Sequence, residues 1–347
     1  MIARPFVKIN LGLSVLRRRE DGFHDLETLF VPYKGISDTL EIIKGDDFSL
    51  TSASIFDRYE PSQMAQAISE DGKLMITIAR AEGVDWDPLK DLTAKAYSLL
   101  AADFQLPPVK IFLEKTSPVG AGLGGGSADA AFALRMLSEL CALGLSDSAL
   151  AAYAAQLGSD CAFFVYDRPM LGEGRGELLT PFDCSSLGTI EGASPATGCV
   201  AATAQGFSDA SCGTSAESGY GISPSGLPLI AGLELRVVIP SGISVSTKEA
   251  YGGIIPRDRL AASATSAPSG SALAGFASAA LMPLREALAL PVTAWKDALV
   301  NDFERTVFAV HPELARLKQE LYDNGAVYAS MSGSGSALFG LFPLSRK

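Results

Sequence analysis

The chain has 347 residues, of which 48% are hydrophobic and 19% are charged, and its formal net charge at pH 7 is −11. This length suits one large or two ordinary domains, and this composition is typical of a globular protein. The acidic charge argues against nucleic acid as a partner, because proteins that bind duplexes usually present a basic face.

The N-terminus and the cysteines argue against secretion. Lys8 and Asn10 interrupt the first apolar run, and arginines at 17–19 stand where a signal peptide would carry small residues. No apolar run of about 18 residues occurs, so we expect no membrane span and no membrane partner. The five cysteines are odd in number and form no Cys-x-x-Cys pair, which argues against a disulfide framework or a zinc site. We therefore expect a cytoplasmic protein in which Cys161 is a small buried hydrophobic residue. The sequence indicates no particular oligomeric state.

Strand and helix patterns are mixed along the first half of the chain. Residues 2–16 alternate well enough to predict strands, with apolar residues from 7 to 13 on one face and Lys8 and Asn10 on the other. Asp21 and Gly22 predict a hairpin turn into a returning strand at 26–33. Further strands are predicted at 38–43, 74–78, 109–113 and 163–166, and helices at 91–102, 128–143 and 147–157.

The second half contains a segment of unusual composition. Residues 183–232 are rich in Ser, Gly, Ala and Thr, have four acidic residues and lack Lys and Arg, which predicts a flexible low-complexity insertion. Residues 263–271 form a shorter stretch of this kind. Strands are predicted at 235–239, 326–330 and 337–342, and helices at 283–288, 294–308 and 313–323. Because strands and helices mix without regular alternation, we predict an α+β fold in two lobes.

A glycine-rich loop at 118–131 is the strongest functional signal. It lies between a predicted strand and a predicted helix, where glycines let the backbone turn and approach a ligand closely. The first-turn N–H groups of the helix would then face an anion, so the loop predicts a phosphate site. It is not a P-loop, because no Gly-x-x-x-x-Gly-Lys-Ser/Thr occurs. Gly120, Gly122 and Gly125 satisfy Gly-x-Gly-x-x-Gly, but their position well inside the chain disfavours a Rossmann dinucleotide site.

Two charged residues are candidates for catalysis. Phosphoryl transfer requires a phosphate cradle, a carboxylate that orients the acceptor hydroxyl, a cation near the transferred group, and Mg²⁺. Asp160 lies in the predicted break between a helix and a strand, and Lys8 is a lone cation in an apolar strand. Taken singly, each has a simpler interpretation, a turn-forming aspartate and an edge-strand lysine.

The chain as a whole resembles a known kinase family. Residues 3–16 and 19–30, which include Asp21, Gly22, Phe23 and His24, are similar to the start of the 4-diphosphocytidyl-2-C-methyl-D-erythritol kinases. That family belongs to the GHMP kinase superfamily (galactokinase, homoserine kinase, mevalonate kinase and phosphomevalonate kinase). The glycine loop resembles the ATP-binding motif of the superfamily, residues 331–336 resemble its C-terminal glycine motif, and residues 242–251 resemble a segment of this family. The resemblance omits 183–232 and 261–275.

The resemblance implies a two-lobed GHMP-kinase-like α+β fold with the active site in the cleft between the lobes. It implies an N-terminal kinase domain at 1–165 with the ATP-binding glycine loop. The C-terminal domain follows at 166–347 and contains the insertion 183–232, which leaves the substrate contacts near Phe182 undefined. The implied reaction is transfer from ATP, with Mg²⁺, to the 2-hydroxyl of 4-diphosphocytidyl-2-C-methyl-D-erythritol in the non-mevalonate route to isoprenoids.

The same resemblance implies roles for individual residues. Asp160 matches the catalytic aspartate, and Lys8 matches the lysine that pairs with it and stabilises the moving phosphoryl group. Asn10 matches a polar residue that helps to place the substrate. His24 matches the histidine that reads the cytosine, and Phe23 stands where the family often has tyrosine, so stacking on the base is retained.

The resemblance also assigns the nucleotide to the glycine loop. The expected binding residues are Pro118, Val119, Gly120, Ala121, Gly122, Leu123, Gly124, Gly125, Gly126 and Ser127. Ser127 is able to hold phosphates or the metal ion, but no residue is assigned as a metal ligand. Asp129, expected in the first turn of the helix, complements the helix dipole, a structural role. A structural role is also expected for His311.

Three alternatives remain open at this point. The first is another GHMP kinase, of the mevalonate or homoserine kinase type, which the block at 21–24 disfavours. The second is a non-catalytic nucleotide-binding protein on the same fold, which the presence of both Lys8 and Asp160 disfavours. The third is a dinucleotide-dependent enzyme, which the position of the glycine loop disfavours.

Overall fold

A computed structural model of the chain describes residues 1–45, 47–188, 232–258 and 282–344, and the backbone of 220–224. Most of the predicted insertion 183–232, and all of 263–271, therefore lie outside the described residues. The strands are β1 (Ile2–Ala3), β2 (Phe6–Arg18), β3 (His24–Ser37), β4 (Thr39–Lys44), β5 (Met64–Ile68), β6 (Leu74–Arg80), β7 (Val109–Lys115), β8 (Met170–Gly174), β9 (Leu178–Pro181), β10 (Tyr220–Pro224), β11 (Leu233–Pro240), β12 (Tyr328–Met331) and β13 (Leu338–Pro343).

The α-helices described are α1 (Ser52–Arg58), α2 (Leu92–Asp103), α3 (Gly125–Leu140), α4 (Asp147–Leu157), α5 (Cys161–Tyr166), α6 (Thr247–Gly252), α7 (Leu284–Ala289), α8 (Trp295–Ala298), α9 (Phe303–Val310) and α10 (Pro312–Asp323). Every element predicted before residue 158 is present. Within the described part of the chain, no helix combines the length and the apolar character needed to cross a membrane.

The residues separate into two compact units that are not contiguous in sequence. Unit 1 comprises Met1–Lys8, Pro32–Val119 and Gly124–Asp167, and unit 2 comprises Ile9–Val31, Gly120–Leu123 and Arg168 onward. The chain passes from unit 1 to unit 2 for the last time between Asp167 and Arg168, two residues after the predicted domain boundary at 165/166. A contiguous N-terminal domain at 1–165 differs from this division, because β2 and β3 each run from one unit into the other.

Unit 1 consists of a five-stranded sheet and a group of helices. The strand order is β1-β4-β7-β6-β5, in which β6 and β7 are parallel and the other neighbours are antiparallel. Helix α3 contacts α2, α4 and α5, and its small residues Ala128, Ala131 and Ala133 are buried. The chain leaves the sheet at the end of β7 and enters α3 through the glycine loop.

Unit 2 contains two four-stranded sheets. One has the order β10-β11-β13-β12 and the other has the order β2-β3-β8-β9. Helices α6, α9 and α10 pack their apolar residues, among them Val307 and Leu314, into a core shared with Met331 and Leu338. The hairpin of β12 and β13 carries the C-terminal glycine motif in its connecting loop.

The strand predicted at 163–166 is wrong, because these residues belong to helix α5. Residues 161–165 are all buried, and α5 contacts both α3 and α4. The Phe164 ring lies 5.8 Å from Phe6 and 5.0 Å from Phe163. A short apolar run has no periodicity that separates a strand from a buried helix, and the neighbouring helices decide here.

The helix predicted at 294–308 is interrupted. It ends as α8 at Ala298 and resumes as α9 at Phe303. Between them, the Leu13 N–H donates to the Val300 carbonyl (3.0 Å), and the Asp302 N–H donates to the Leu13 carbonyl (2.9 Å). This bridge to β2 takes backbone groups that a continuous helix would use for itself.

Phe163→Ala is expected to lower the free energy of unfolding by about 3–5 kcal/mol, because it empties a fully buried site. Phe48→Ala is the matched control, since Phe48 is 94% exposed, and it is expected to change stability by no more than about 0.5 kcal/mol. Urea unfolding followed by circular dichroism measures both variants. An equal loss of unfolding free energy in the two variants would contradict the packing of α5.

Candidate active site

A buried lysine and a half-buried aspartate form an ion pair in unit 1. Lys8 Nζ lies 3.3 Å from Asp160 Oδ2, and the two side chains are 3% and 33% exposed. Strand β2 holds Lys8 among buried neighbours, whereas Asp160 lies in the break between α4 and α5, at the N-cap of α5. The ammonium group is thus shielded from solvent, while the carboxylate keeps an accessible side that a ligand hydroxyl could approach.

The start of α3 lies against this lysine. Gly124, the N-cap residue of α3, has a φ of +74°, and a Cβ built there would lie 3.3 Å from Lys8 Cε and 3.1 Å from Phe164 Cζ. A side chain at this position would therefore crowd both neighbours. The Lys8 side chain thus lies beside the first turn of α3, and a lysine ammonium group and the first-turn N–H groups of a helix both favour an anion.

Residues 120–123 of the glycine loop belong to unit 2, where they pack on the C-terminal glycine motif. The Ala337 N–H donates to the Ala121 carbonyl (3.1 Å), and Ser332 Oγ donates to the Gly122 carbonyl (3.2 Å). Gly122 has a φ of +74°, and a Cβ there would overlap the Ser332 carbonyl oxygen. Ala121 and Leu123 are buried, whereas Val119 is 50% exposed. The two glycine motifs thus contact each other, which nothing in the sequence had indicated.

Asn10 anchors this contact from β2. It is 2% exposed, its Nδ2 donates to Thr28 Oγ1 (3.0 Å), and its N–H donates to Ser332 Oγ (3.3 Å). Asn301 supports the same motif by donating to the carbonyls of Met331 and Gly333, at 2.8 Å each. The structure therefore gives Asn10 a supporting place beside the C-terminal glycine motif, and its predicted substrate contact stays a prediction.

Phe23 and His24 lie at the hairpin of β2 and β3, in unit 2. The Phe23 ring is 55% exposed, and the Arg175 guanidinium lies 5.1 Å from its centroid. The His24 ring stacks on Tyr251, with centroids 4.8 Å apart and planes 24° apart. Tyr251 in turn places its ring edge-on to Phe303 at 4.8 Å. The sequence indicated residues 242–251 only as a segment that resembles the family. Tyr251 at the end of this segment was the one signal that could have pointed to the stack with His24.

Burial lowers the pKa of His24, and the positive charge of Arg18 acts in the same direction. The imidazole is therefore neutral near pH 7, with one ring nitrogen as donor and the other as acceptor. A neutral ring of this kind suits the edge of a nucleobase, which presents both donors and acceptors.

Other residues named from the sequence have structural surroundings. Burial raises the pKa of the Cys161 thiol to about 12, which outweighs a hydrogen bond with Ser127, and the side chain is fully buried as predicted. His311 Nε2 lies 2.9 Å from Glu249 Oε1, in keeping with a structural role. Among the residues described, no group of three or more His, Cys, Asp or Glu could hold a metal ion.

The sequence matches two family models. These are the GHMP kinases N terminal domain over residues 91–168 and the GHMP kinases C terminal domain over residues 284–347. A 4-diphosphocytidyl-2-C-methyl-D-erythritol kinase of Bacteroides fragilis is 36% identical over 343 residues, which cover 99% of this chain and 92% of the relative. The chain belongs to this kinase family. A family member from Nitratidesulfovibrio vulgaris is 30% identical and covers 98% of this chain and 89% of the relative.

Solved structures agree with this membership. A crystal structure of 4-(cytidine 5'-diphospho)-2C-methyl-D-erythritol kinase matches with a TM-score of 0.58 at 27% identity, covering 98% of this chain and 90% of that chain. A mevalonate kinase from L. major matches with a TM-score of 0.52 at 15% identity, covering 99% and 88%. The second likeness shows the fold alone. The predicted GHMP-kinase fold, with its mixed helices and sheets, is confirmed.

Gly122→Ala is expected to destabilise the kinase more than Gly72→Ala. Both glycines have positive φ, +74° and +70°, but nothing lies within 4 Å of a Cβ at Gly72. The backbone strain costs about 1–2 kcal/mol at either site, and the overlap with Ser332 adds about 1–3 kcal/mol at Gly122 alone. Thermal and urea unfolding of the two variants measure the difference, and equal losses would rule out the close contact.

The His24 ring is expected to titrate below the ordinary histidine value of about 6.5, for the reasons given above. NMR of the ring protons measures this, with His311→Asn to assign the two histidines. Tyr251→Leu should move the midpoint upward, because it exposes the ring. Since the folded pKa is the lower one, the unfolded chain binds the proton first on acidification, and His24 then reduces stability as pH falls through the unfolded pKa. An unshifted midpoint in the parent protein would contradict the burial of this ring.

Proposed function

We propose that the chain transfers the γ-phosphoryl group of ATP to the 2-hydroxyl of 4-diphosphocytidyl-2-C-methyl-D-erythritol, in the non-mevalonate route to isoprenoids. The observation that carries the proposal is the Lys8–Asp160 ion pair against the start of α3. It occurs in a chain that matches kinases named for this substrate over 99% of its length.

Asp160 orients the acceptor hydroxyl and accepts its proton as the new phosphoester bond forms. Its carboxylate is half-buried, and Lys8 fixes one of its oxygens at 3.3 Å. The carboxylate therefore presents a defined direction to the hydroxyl, and positioning supplies most of its catalytic effect.

Lys8 stabilises the negative charge that moves with the phosphoryl group. Its ammonium is shielded from water, where a charge acts more strongly than at the surface. The first-turn N–H groups of α3, at the end of the glycine loop, hold the phosphate chain beside it. Bound ATP supplies the phosphoryl group, and bound Mg²⁺ would neutralise phosphate charge.

The donor set around α3 fits a metal ion that arrives with the nucleotide. The described residues offer no cluster of three acidic or histidine ligands, so phosphate oxygens would be its main ligands, as is common for Mg²⁺. Ser127, half-buried in the first turn of α3, is the residue whose hydroxyl would serve as a protein ligand.

The cytidine end of the acceptor is assigned to the hairpin of β2 and β3. The exposed Phe23 ring offers a stacking face, and the neutral His24 ring offers a donor and an acceptor to the base edge. Tyr251 keeps the His24 ring in one plane by stacking. We expect a small-molecule substrate without a nucleic-acid or membrane partner, and a cytoplasmic location.

A coupled assay of ADP release tests the function. Purified protein is offered 4-diphosphocytidyl-2-C-methyl-D-erythritol, mevalonate and homoserine in parallel, with ATP and Mg²⁺. Turnover is expected with the first acceptor. Turnover with only mevalonate or homoserine would refute the substrate, and ATP binding without turnover of any acceptor would favour a non-catalytic protein.

Lys8→Met and Asp160→Asn are each expected to lower kcat by roughly 100- to 10,000-fold, because each removes a positioned catalytic group. Lys34→Met and Asp167→Asn are the matched controls. They break the ion pair between Lys34 Nζ and Asp167 Oδ2 (2.9 Å) in the same unit. The side chains of this pair are 40% and 43% exposed. The controls should retain kcat, and circular dichroism should show all four variants folded. Near-normal kcat in Lys8→Met or Asp160→Asn would refute that residue's role.

A further inference from the structure

A buried ion cluster lies at the two ends of the glycine loop in unit 1. Lys115 is the last residue of β7, Asp38 separates β3 from β4, and Asp129 lies near the start of α3. Lys115 Nζ is 2.6 Å from Asp38 Oδ2 and 2.7 Å from Asp129 Oδ2. The three side chains are 4%, 0% and 1% exposed. None of them is part of the proposed catalytic pair.

Asp38 fixes the chain just before the glycine loop. Its Oδ1 accepts the N–H groups of Thr116 (2.7 Å) and Ser117 (2.6 Å), and its Oδ2 accepts Ser117 Oγ (2.6 Å). The backbone that leads into Pro118 is therefore held by a carboxylate that also binds Lys115.

Asp129 fixes the chain just after the loop. It stands 14 residues beyond Lys115 in the sequence, yet the two share a direct ion pair. The cluster lies close to the first turn of α3, as the space around Gly125 shows. A Cβ at Gly125 would overlap Ser117 Oγ and lie 3.3 Å from Lys115 Nζ. One ammonium group thus joins the strand before the loop to the helix after it.

All three N–H donors of Lys115 are used within the cluster, on Asp38, Asp129 and Ser117, the last at 3.0 Å. The ammonium therefore has no donor left for a phosphate oxygen. Burial opposes its charge, but the two carboxylates outweigh this effect and raise the pKa of Lys115, so it stays a cation. Burial raises the pKa of the Asp129 carboxyl, so removal of that cation would leave Asp129 as a neutral acid and take away the ammonium that ties it to Asp38.

We propose that Lys115 is a positioning residue for the nucleotide, which holds the first turn of α3 in its phosphate-binding conformation by binding Asp38 and Asp129 together. The inference rests on the proposed function, since it assigns the nucleotide phosphates to this turn. Lys115 acts through Asp38 and Asp129 and touches no reacting atom.

Two variants test the proposal. Lys115→Met removes the cation, and Asp129→Asn keeps the shape of the side chain while it weakens the tie to α3. Arg257→Met is the matched control, because Arg257 is a buried cation that binds Asp302 through two nitrogens (2.9 and 3.1 Å) in unit 2. Each variant is measured by calorimetric titration with ATP and Mg²⁺, by hydrogen–deuterium exchange without nucleotide, and by steady-state kinetics.

In Lys115→Met the Kd for ATP is expected to rise on the order of 10- to 100-fold, as for misplacement of a binding group by about 1 Å. The KM for ATP should rise with it, while the KM for the acceptor stays unchanged. Amides at 116–129 should exchange faster than in the parent protein, and amides of β12 and β13 should not. Asp129→Asn should show the same pattern to a smaller degree, with its unfolding midpoint retained. Arg257→Met should lose stability but keep the parent ATP affinity and the parent exchange at 116–129.

Parent-like ATP affinity together with parent-like exchange at 116–129 in both cluster variants would overturn the proposal. An equal loss of ATP affinity in Arg257→Met would also overturn it, since the effect would then follow from general destabilisation. If Lys115→Met does not fold, Asp129→Asn decides by the same two readouts. A parent protein that binds ATP but phosphorylates no acceptor would overturn the proposed function alone, and binding and exchange would still decide the role of Lys115.

Discussion

Backbone atoms come unusually close to their neighbours at two glycines of the 118–131 loop, and the candidate site depends on this. At Gly124 the missing side chain leaves room for Lys8 beside the first turn of α3. At Gly122 it leaves room for the Ser332 carbonyl of the C-terminal glycine motif. Both residues have positive φ, so an alanine would be strained even where space allowed it. Glycine is therefore required at both positions by two separate constraints, the close packing and the backbone conformation.

Positive charge is used in two different ways in this acidic chain, whose net charge is −11. Lys8 is buried beside a carboxylate that keeps access to solvent. Lys115 is equally buried but is surrounded by two carboxylates and a hydroxyl that occupy all its donors. We propose catalysis for Lys8 and loop geometry for Lys115, because the carboxylate beside Lys8 is partly exposed whereas both carboxylates beside Lys115 are buried.

Local patterns predicted much of the fold, and their failures have physical causes. The strand before the glycine loop, the helix after it and the hairpin at Asp21 follow from periodicity and turn residues, and all are present. The run at 163–166 was too short for its periodicity to reveal a helix. The helix at 294–308 breaks because Leu13, nearly 300 residues away in the sequence, takes its backbone hydrogen bonds. No pattern local to 294–308 contains that partner.

The sequence by itself determined the family of this protein and supplied the residues proposed for its chemistry: a glycine loop, a lysine and an aspartate, and a histidine beside an aromatic residue. Only the tertiary structure decided how these residues combine. It brought Lys8 within 3.3 Å of Asp160, stacked Tyr251 on His24, and joined Lys115 to Asp129 across the glycine loop. The reason is that residue type and local periodicity depend on near neighbours in the chain, whereas these contacts form between segments far apart in sequence that only packing brings together.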